Sequence, residues 1–427
     1  TTSKTRYDSR PAMTKDAKTH VLIAGGGVAA VEALLALRQL LGDRVTIEIH
    51  APRRNFVYRP LAVAEPFGIG QALRFDLAEI AESHGATYRP DGLQSVEPDR
   101  HRATMRHRRR LGYDKLLIAC GAKMHWSVPG AITFWGPAGH EGFDRVLGEL
   151  ERGAVRRVVF TMPAGFGWAL PVYELALMTS AHLAELGVEG AELAIVTPED
   201  APLQLFGPHA SDQVAGLLAD RQIAVSTGTY PVSFAGGKLT VAPGDPIPAD
   251  RVVSMPSYEG RRIGGIPLDQ RGFIPVDEHG RVRGLTDVFA AGDTTDFPVK
   301  QGGLAAQQSD AVASTIAAQL DGDEADGEPF HPVLRGLLLT GNRPRFLRNE
   351  LEGGRGETST VTDHALWFPR GKVAGRHLAP LLTSLAGESL EPSRAVLDSS
   401  TEVHLEGHDL MRRAVEASLD FAAASGG

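Results

Sequence analysis

Short apolar runs alternate along the chain with longer stretches in which apolar residues recur at helical spacing. Short runs are typical of buried strands, and the longer stretches are typical of helices. The pattern predicts strand, helix and strand twice, first over 20–25, 28–41 and 45–49 and again over 155–162, 170–186 and 191–197. A helix between two apolar strands connects them in parallel and covers a face of their sheet. We therefore expect an α/β protein with two doubly wound, Rossmann-like domains.

Two apolar runs outside these units indicate that the second domain interrupts the first. Residues 93–119 predict a short hairpin leading into a buried strand, and residues 285–291 predict another buried strand. The acidic, turn-rich stretch 321–329 is typical of an exposed linker. With boundaries near 150 and 265, the expected organisation is a flexible tail over 1–19, a first domain over 20–150 and 265–330, an inserted second domain over 151–264 and a C-terminal segment over 331–427.

Composition and charge exclude several classes of protein. The chain has 427 residues, of which 42% are hydrophobic, so it can form sizeable cores. Its 44 Lys and Arg against 52 Asp and Glu give a net charge of -8, which argues against a nucleic-acid partner. Residues 1–19 lack the apolar core of a signal peptide, and no stretch approaches the ~18 apolar residues of a membrane span. We expect a cytoplasmic protein, either soluble or peripheral at the inner face of the membrane.

A glycine-rich turn joins the first predicted strand to the first predicted helix. Gly25, Gly26 and Gly27, with Ala29 and Ala30, have the spacing of the GxGxxA fingerprint of dinucleotide-binding domains. The first glycine permits the tight turn, the third lets a pyrophosphate approach the backbone, and the final alanine keeps helix and strand close. The amides at the helix N-terminus supply donors and a positive dipole end for phosphate groups.

The ligand of the nucleotide ribose is expected near the end of the second strand. Glu48 stands about 20 residues beyond the glycine turn, where the fingerprint places an acidic residue. The strand runs on toward His50 and Ala51, and Arg53 and Arg54 follow it. Glu48 is therefore either the ribose ligand or a solvated charge at the strand end.

Three segments in order along the chain resemble a known family. They are GGGVAAVEAL (25–34), YDKLLIACGA (113–122) and LTDVFAAGD (285–293). Together they resemble the FAD-binding segments of flavoproteins with two dinucleotide-binding domains, the pyridine nucleotide-disulfide oxidoreductase superfamily. The resemblance implies an FAD domain with an inserted NAD(P)-type domain.

Further segments resemble one branch of that superfamily. FVYRPLAVAEPFG (56–68) and FPVKQGGLAAQQSD (297–310) are similar to sulfide:quinone oxidoreductases and type II NADH:quinone oxidoreductases. The resemblance spans most of residues 20–320 and reaches the C-terminal segment through LWFPRGKVAGRHLAPLL (366–382).

The resemblance implies a bound FAD and places its contacts on this chain. The implied contacts are Gly292 and Asp293 for the ribityl chain, Ala119, Cys120 and Gly121 for the pyrophosphate, Val96 near the adenine, and Arg59 and Pro60 within the segment 56–68.

Lys300 and the turn Gln301, Gly302 and Gly303 lead into a predicted helix over 304–320. The resemblance implies that this helix points its N-terminus at the pyrimidine edge of the flavin. A helix N-terminus and a lysine both stabilise negative charge there. We therefore expect Lys300 to be a catalytic, cofactor-contacting residue, and the alternative is an ordinary surface lysine.

The second predicted domain has a weaker nucleotide signal. Gly165 and Gly167 imitate the GxG turn, but Leu170 stands where a small residue should permit close packing. Glu199, after the next strand, is either a ligand for the ribose of NADH or a turn carboxylate. The segment 170–174 resembles the helix start of sulfide:quinone-type homologues, so the domain could keep its shape without binding a nucleotide.

Cysteine and histidine chemistry is limited in this chain. Cys120 is the single cysteine, so neither an intrachain disulfide nor the redox cysteine pair of sulfide oxidation or disulfide reduction is available. We expect Cys120 to be a structural thiol. The 15 histidines show no metal-binding spacing, so no metal site is expected.

Together these features predict an FAD-dependent oxidoreductase. NADH or NADPH is the first choice of electron donor, by hydride transfer to the flavin, and a quinone or another small molecule is the acceptor. Two alternatives stay open: a sulfide:quinone oxidoreductase-like protein without its cysteine pair, and a non-catalytic flavin-binding redox sensor.

The C-terminal segment and the oligomeric state leave further alternatives open. Trp367 and Phe368, near Arg370, Lys372 and Arg376, could form a surface for a membrane or a quinone, or could pack in a core. A peripheral membrane contact through this segment and a homodimer are therefore both considered.

Overall fold

A five-stranded parallel sheet forms the centre of the first domain. The computed structural model describes residues 18–165, 167–322, 326–341, 346–351, 357–362, 372–386 and 397–404. In spatial order, the strands of this first sheet are Val288–Ala290, Lys115–Ile118, Thr19–Ala24, Val45–His50 and Thr87–Arg89. Ile23 pairs with Ile49 on one side and with Leu117 on the other. Strands that precede and follow the second domain in the sequence thus meet in one sheet.

A second five-stranded parallel sheet forms the centre of the second domain. In spatial order, its strands are Ile132–Thr133, Arg251–Ser254, Arg157–Thr161, Glu192–Val196 and Ala224–Ser226. All four pairings between neighbours are parallel, as the alternation of strands and helices predicts. The boundary near 150 stays a prediction, and the pairing of Ile132–Thr133 favours an earlier one.

Helices cover one face of each parallel sheet. They are α1 (Val28–Leu41), α2 (Leu77–Ser83), α3 (Gly136–Glu151), α4 (Leu170–Glu185), α5 (Pro208–Asp220), α6 (Gly302–Asp321) and α7 (Leu378–Ala386). Short 3-10 turns occur at Gly42–Arg44, Ala62–Phe67, Pro98–Arg100, Gln204–Phe206 and Gly292–Thr294. The bounds of α1 agree with the apolar pattern, and α6 begins before the predicted residue 304.

The other face of each parallel sheet is covered by a small antiparallel sheet. Leu93–Glu97, Arg102–Met105 and Arg110–Gly112 form one, and Tyr230–Ala235, Lys238–Ala242 and Ile247–Pro248 form the other. Leu22 and Ile118 of the first parallel sheet pack with Val96 and Ala103 on this side, whereas Ile23 packs with α1 and α6. Both faces of each parallel sheet are thus buried. Because side chains alternate between the two faces along a strand, the sequence of each of these strands is nearly continuously apolar.

Four antiparallel strand pairs complete the described structure. They are Asn55–Tyr58 with Leu73–Asp76, Lys123–His125 with Ser257–Glu259, Val333–Leu339 with Leu397–His404, and Phe346–Leu351 with Glu357–Thr362. Within the described ranges, no helix is both long enough and apolar enough to cross a membrane.

Candidate functional site

A tight backbone turn joins the first strand to α1. Gly25 has a φ of +149°, and a Cβ there would lie 2.0 Å from the carbonyl oxygen of Ala119. The Gly25 amide donates to the carbonyl oxygen of His50 at 2.9 Å. A Cβ on Gly26 would lie 2.8 Å from the Cβ of Ala51. Side chains do not fit at these two positions, so glycine is what lets the turn pass between the ends of the neighbouring strands.

The same turn faces open space where a ligand phosphate is expected. A Cβ on Gly27 would meet nothing within 4 Å, and the same holds for Gly121 at a φ of +68°. Gly27 is the N-cap of α1, and no side chain caps this helix. The first amides of α1 are therefore available to an anion. With Ala29 and Ala30 buried behind it, this cradle fits the pyrophosphate of a dinucleotide such as FAD.

The end of the strand Val45–His50 offers two candidates for the ribose contact. The predicted ligand, Glu48, has its Oε2 3.1 Å from Nε2 of His50. His50 is buried, and this burial lowers its imidazole pKa although Glu48 opposes the shift. Its Nδ1 atom is buried without a hydrogen-bond partner among the described residues. Since such an atom is costly without a partner, His50 is a ribose candidate that the sequence reasoning missed, although its place at the strand end was visible.

Cys120 follows the strand Lys115–Ile118 at the same edge of the sheet. Its thiol donates to the carbonyl oxygen of Ala24 at 3.2 Å, and burial raises the pKa of the thiol to about 11. Arg261 Nε donates to the Cys120 carbonyl oxygen at 2.7 Å. A thiol with this pKa stays protonated at neutral pH and is a poor nucleophile. The segment therefore offers a cofactor its backbone rather than its sulfur.

Gly292 and Asp293 lie in a 3-10 turn directly after the strand Val288–Ala290. The Gly292 amide donates to Oε1 of Gln308 in α6 at 2.7 Å, and Thr295 Oγ1 donates to the Gly292 carbonyl oxygen at 2.9 Å. Burial raises the pKa of the Asp293 carboxyl, and the Lys300 ammonium opposes the shift. The turn is thus fixed by α6, which suits the predicted role of Asp293 toward a ribityl hydroxyl.

These three segments meet at one edge of the first sheet. A Cβ on Gly292 would lie 3.1 Å from the Cβ of Ala29, and Gly25 touches Ala119. Ser309 of α6 donates its hydroxyl to the carbonyl oxygen of Ala29 at 2.9 Å. Three segments therefore converge at the carboxyl ends of parallel strands: the turn before α1, the segment 119–121 and the turn Gly292–Thr294. This is the edge of the sheet where α/β folds bind nucleotides.

Lys300 is held beside this convergence. Its Nζ donates to the carbonyl oxygen of Thr295 at 2.6 Å and lies 4.0 Å from the centre of the Phe273 ring. Burial lowers the pKa of Lys300 to about 8, and Asp293 opposes the shift. The ammonium is therefore still mostly protonated at neutral pH, and the aromatic ring stabilises it. This environment differs from that of an ordinary surface lysine.

Gln301 caps α6 with its side chain. Its Oε1 accepts from the Leu304 amide at 2.8 Å, and its Nε2 donates to the Arg335 carbonyl oxygen at 3.2 Å. This cap is the reason that α6 begins earlier than predicted. The side chain of Gln301 thus orients the helix, and the groups available to a ligand are the amides of Gly302 and Gly303.

The remaining predicted FAD contacts lie on antiparallel units. Arg59 is exposed after the strand Asn55–Tyr58, its carbonyl oxygen accepts from Ala62, and Pro60 is half-buried. Val96 is buried in the core under the first antiparallel sheet, and its amide donates to Gly264 at 2.8 Å. Their roles toward FAD stay predictions.

The glycine turn of the second domain is in contact with the first domain. The Lys300 amide donates to the Gly167 carbonyl oxygen at 3.1 Å. A Cβ on Gly167 would lie 2.8 Å both from the carbonyl oxygen of Pro298 and from Cγ of Lys300. Gly165 makes the turn at a φ of +68°, and α4 begins at the buried Leu170. The position where a pyrophosphate would approach the backbone therefore contacts the 298–300 segment instead.

Glu199 is turned into the second domain. Its Oε2 accepts from the Tyr173 hydroxyl at 2.6 Å and from Thr197 Oγ1 at 3.1 Å. Burial raises the pKa of this carboxyl to about 7, and these two hydrogen bonds oppose the shift. The geometry favours a turn carboxylate bonded to α4 over a ligand for NADH ribose.

A buried ion pair that the sequence reasoning missed ties the C-terminal segment to the second domain. Lys372 Nζ lies 2.5 Å from Oε1 of Glu174, which also accepts from the Leu339 amide at 2.9 Å. The two side chains are 8% and 1% exposed. Lys372 stood out in the sequence as part of a basic cluster, but its partner is 198 positions away. Lys372 is therefore no part of a membrane-facing surface, and Trp367, Phe368 and Arg370 lie outside the described residues.

Val373, the residue after Lys372, packs against the start of α6. The Val373 amide donates to the Tyr58 hydroxyl oxygen at 3.3 Å. A Cβ on Gly302 would lie 2.8 Å from Cγ2 of Val373. The C-terminal segment thus contributes to the wall of the candidate site.

Three titratable side chains from α1, from α6 and from the residue before α7 meet in one cluster. Glu32, Asp310 and His377 have polar side-chain atoms within 4.8 Å of one another, and no spacing in the sequence pointed to this cluster. Asp310 and His377, with His331 and Arg376, also line a cavity of about 470 Å³. None of these three residues belongs to the turns that converge at the edge of the first sheet.

Comparison with known proteins finds a family match and several distant relatives. The family described as "Pyridine nucleotide-disulphide oxidoreductase" matches residues 174–322. Apoptosis-inducing factor 3 from Mus musculus is 26% identical over 310 residues, which are 68% of this chain and 47% of that protein. Sulfide-quinone reductase from Aquifex aeolicus (strain VF5) is 24% identical over 257 residues, which are 57% of this chain and 60% of that protein. The match spans about half the length of the first relative and less than two thirds of the second.

A solved structure shares the fold. The sulfide:quinone oxidoreductase from the hyperthermophilic bacterium Aquifex aeolicus superposes with a TM-score of 0.67 at 21% identity, covering 76% of this chain and 81% of that chain. The predicted α/β class with two Rossmann-like domains is confirmed.

Proposed function

We propose that the chain, in which residues 174–322 match the pyridine nucleotide-disulphide oxidoreductase family, is an FAD-dependent oxidoreductase. Its proposed electron donor is a small reductant that reaches the flavin without a nicotinamide dinucleotide bound to the second domain. The proposed acceptor is a quinone or a similar small molecule. This proposal favours the sulfide:quinone-type alternative over NADH or NADPH as the donor.

The residues at the first glycine turn support FAD as the cofactor. The open cradle at Gly27 and Gly121 and the uncapped amides of α1 suit a pyrophosphate. Asp293 is held at a strand end by α6, where it can orient the ribityl chain, and Lys300 keeps a positive charge beside it. When bound, FAD supplies the two-electron chemistry that links a donor to an acceptor.

The contact of Gly167 with the first domain is the observation that carries the choice of donor. A nicotinamide dinucleotide bound in the usual way places its pyrophosphate against the glycine turn and helix N-terminus of the second domain. Here the Gly167 carbonyl oxygen accepts from the Lys300 amide, and a single added Cβ would overlap Pro298. Binding of NADH or NADPH there would have to separate the two domains at this contact.

The nature of the single cysteine limits how a small reductant can react. One relative is named sulfide-quinone reductase, and this name refers to sulfide, which is a small inorganic reductant, and to a quinone. In the present chain Cys120 keeps its proton at neutral pH and has no second cysteine to pair with. We therefore propose that the donor reacts at the flavin itself and not through protein sulfur.

Anaerobic stopped-flow absorbance of the purified flavoprotein tests this proposal. We expect sulfide to bleach the flavin and NADH and NADPH to leave it oxidised, and we expect a soluble quinone to restore the colour. Saturable bleaching by either nucleotide would contradict the proposed donor class. Bleaching by none of the three reductants is the outcome that the redox-sensor alternative predicts, and a protein that takes up no FAD would remove the basis of the proposal.

A further inference from the structure

Glu32 is a buried acidic residue within α1 that receives the N-terminus of α7. Its two carboxylate oxygens accept from the amides of His377 at 2.8 Å and Leu378 at 2.7 Å. A Cβ on Gly375 would lie 2.7 Å from Oε2 of Glu32, so the chain before α7 lies directly against this carboxylate. Backbone donors at a helix N-terminus stabilise the ionised form of such a carboxylate.

The carboxyl of Asp310 of α6 lies beside this carboxylate, since polar side-chain atoms of Glu32, Asp310 and His377 all lie within 4.8 Å of one another. Two carboxyl groups this close repel each other when both are ionised, so one of them keeps a proton. Because the backbone amides stabilise the charge on Glu32, the proton belongs mainly to Asp310. Burial and the negative charge of Glu32 raise the pKa of Asp310 to about 8.

Other charged groups face Asp310 from the elements packed around it. From the turn before α7, the Arg376 guanidinium lowers its pKa, and Nε2 of His377 lies 3.7 Å from its Oδ1. From the linker after α6, Glu328 raises its pKa. His331 lines the same cavity. The nearby Arg376 cation and the amides already bonded to Glu32 favour a proton over a metal ion between the two carboxyls.

The segment held by Glu32 is the one that reaches the candidate flavin site. Lys372 pairs with Glu174 of the second domain, and Val373 lies against Gly302 at the start of α6. Only a few residues separate these contacts from His377 and Leu378, which are bonded to Glu32. The position of Val373 is therefore fixed from both ends of a short segment.

We propose that Glu32 and Asp310 are positioning residues for the flavin site, because the proton that they share holds the segment 372–378 against α1 and α6. Loss of this proton at alkaline pH leaves two adjacent negative charges that repel each other, and the segment with Val373 separates from Gly302. The inference rests on the proposed function, since it takes the start of α6 as part of the flavin site.

Hydrogen exchange of the peptide covering 372–386, measured as protection against pH, tests the inference in the full chain. In the parent protein the protection factor should fall about tenfold per pH unit from about pH 4 to about pH 8 and level off above that, since opening releases one proton only between the ordinary aspartate pKa and the raised pKa of Asp310. D310N keeps a donor toward Glu32 and cannot ionise, so its protection should not change with pH. D310A has no donor there and should be poorly protected at every pH. D321N changes an exposed aspartate at the end of the same helix and should behave like the parent.

A second readout separates this inference from the proposed function. The absorption spectrum of bound FAD should change over the same pH range in the parent protein and stay constant in D310N. If no FAD is bound, the proposed function fails, and hydrogen exchange still tests whether Glu32 and Asp310 hold the segment 372–378. If FAD is bound and D310N shows the parent pH dependence, the inference fails. A thermal stabilisation by excess Zn²⁺ or Mn²⁺ that requires Asp310 would show that a metal ion holds the cluster, and this would also overturn the inference.

Discussion

Replacing Lys372 with methionine removes one charge from a buried ion pair. K372M keeps an apolar stem of similar length but leaves the Glu174 carboxylate, 1% exposed, without its counter-charge. Burial already raises the pKa of Glu174, and Lys372 is the main opposing influence. Breaking a buried pair by removing one partner costs about 3–5 kcal/mol, because the remaining charge stays desolvated. For a domain of this size we expect a loss in melting temperature on the order of 10 °C.

The double variant E174Q/K372M separates the charge effect from lost packing. The amide oxygen that E174Q introduces can still accept from the Leu339 amide, which donates to Glu174 at 2.9 Å. With neither charge present, the free energy of unfolding should return to within about 1–2 kcal/mol of the parent value. K238M, at an exposed position of the strand Lys238–Ala242, is the matched control and should change stability by no more than about 0.5 kcal/mol.

Thermal and urea unfolding at neutral pH, followed by circular dichroism, measure these differences. The assignment of a buried ion pair fails if the free energy of unfolding of K372M lies within about 1 kcal/mol of that of the K238M control, since removing one partner of such a pair costs more than this. It also fails if the double variant is as unstable as K372M, because the loss would then come from packing of the lysine stem and not from an unpaired charge.

Three further predictions concern the glycine turn, the thiol and a buried carboxyl. G25A should not give a folded protein, because its Cβ would lie 2.0 Å from the Ala119 carbonyl oxygen, whereas G27A should fold and bind FAD more weakly. Circular dichroism measures the folding of each variant, and flavin titration measures its affinity for FAD. If G25A and G27A fold and bind FAD equally well, the assignment of this turn as the pyrophosphate site is contradicted. C120A should reduce and reoxidise its flavin like the parent, and Cys120 in the parent, with a thiol pKa of about 11, should react slowly with maleimide at neutral pH. Glu199 has a folded pKa of about 7, above its unfolded value, so it contributes stability that is complete at acid pH and is lost as the pH rises through about 7. Urea unfolding across this range should show the loss in the parent and not in E199Q.

Local signals in the sequence were sufficient to predict the first glycine turn, the helices α1, α4 and α6 and the most apolar strands. Apolar runs located six of the ten strands of the two parallel sheets, since side chains buried on both faces give continuous apolar stretches. The glycine at position 25 was predictable because a turn this tight has no room for a Cβ, and that restriction acts within a few residues. The presence of a single cysteine likewise excludes a dithiol mechanism within the chain, because a dithiol needs two.

The state of each candidate group depended on segments that are distant in the sequence. The GxG turn at Gly167 looks like a weak nucleotide site in the sequence, and only its contact with Lys300 shows that the turn is occupied by protein. Lys372 reads as a surface cation until its partner Glu174, 198 positions away, places it in the interior. Backbone geometry and hydrophobic period are properties of neighbouring residues, so the sequence by itself determined the longest apolar elements and the first turn. Desolvation and charge pairing depend on which elements pack together, so only the tertiary structure decided which carboxyls and ammonium groups are buried, paired or protonated.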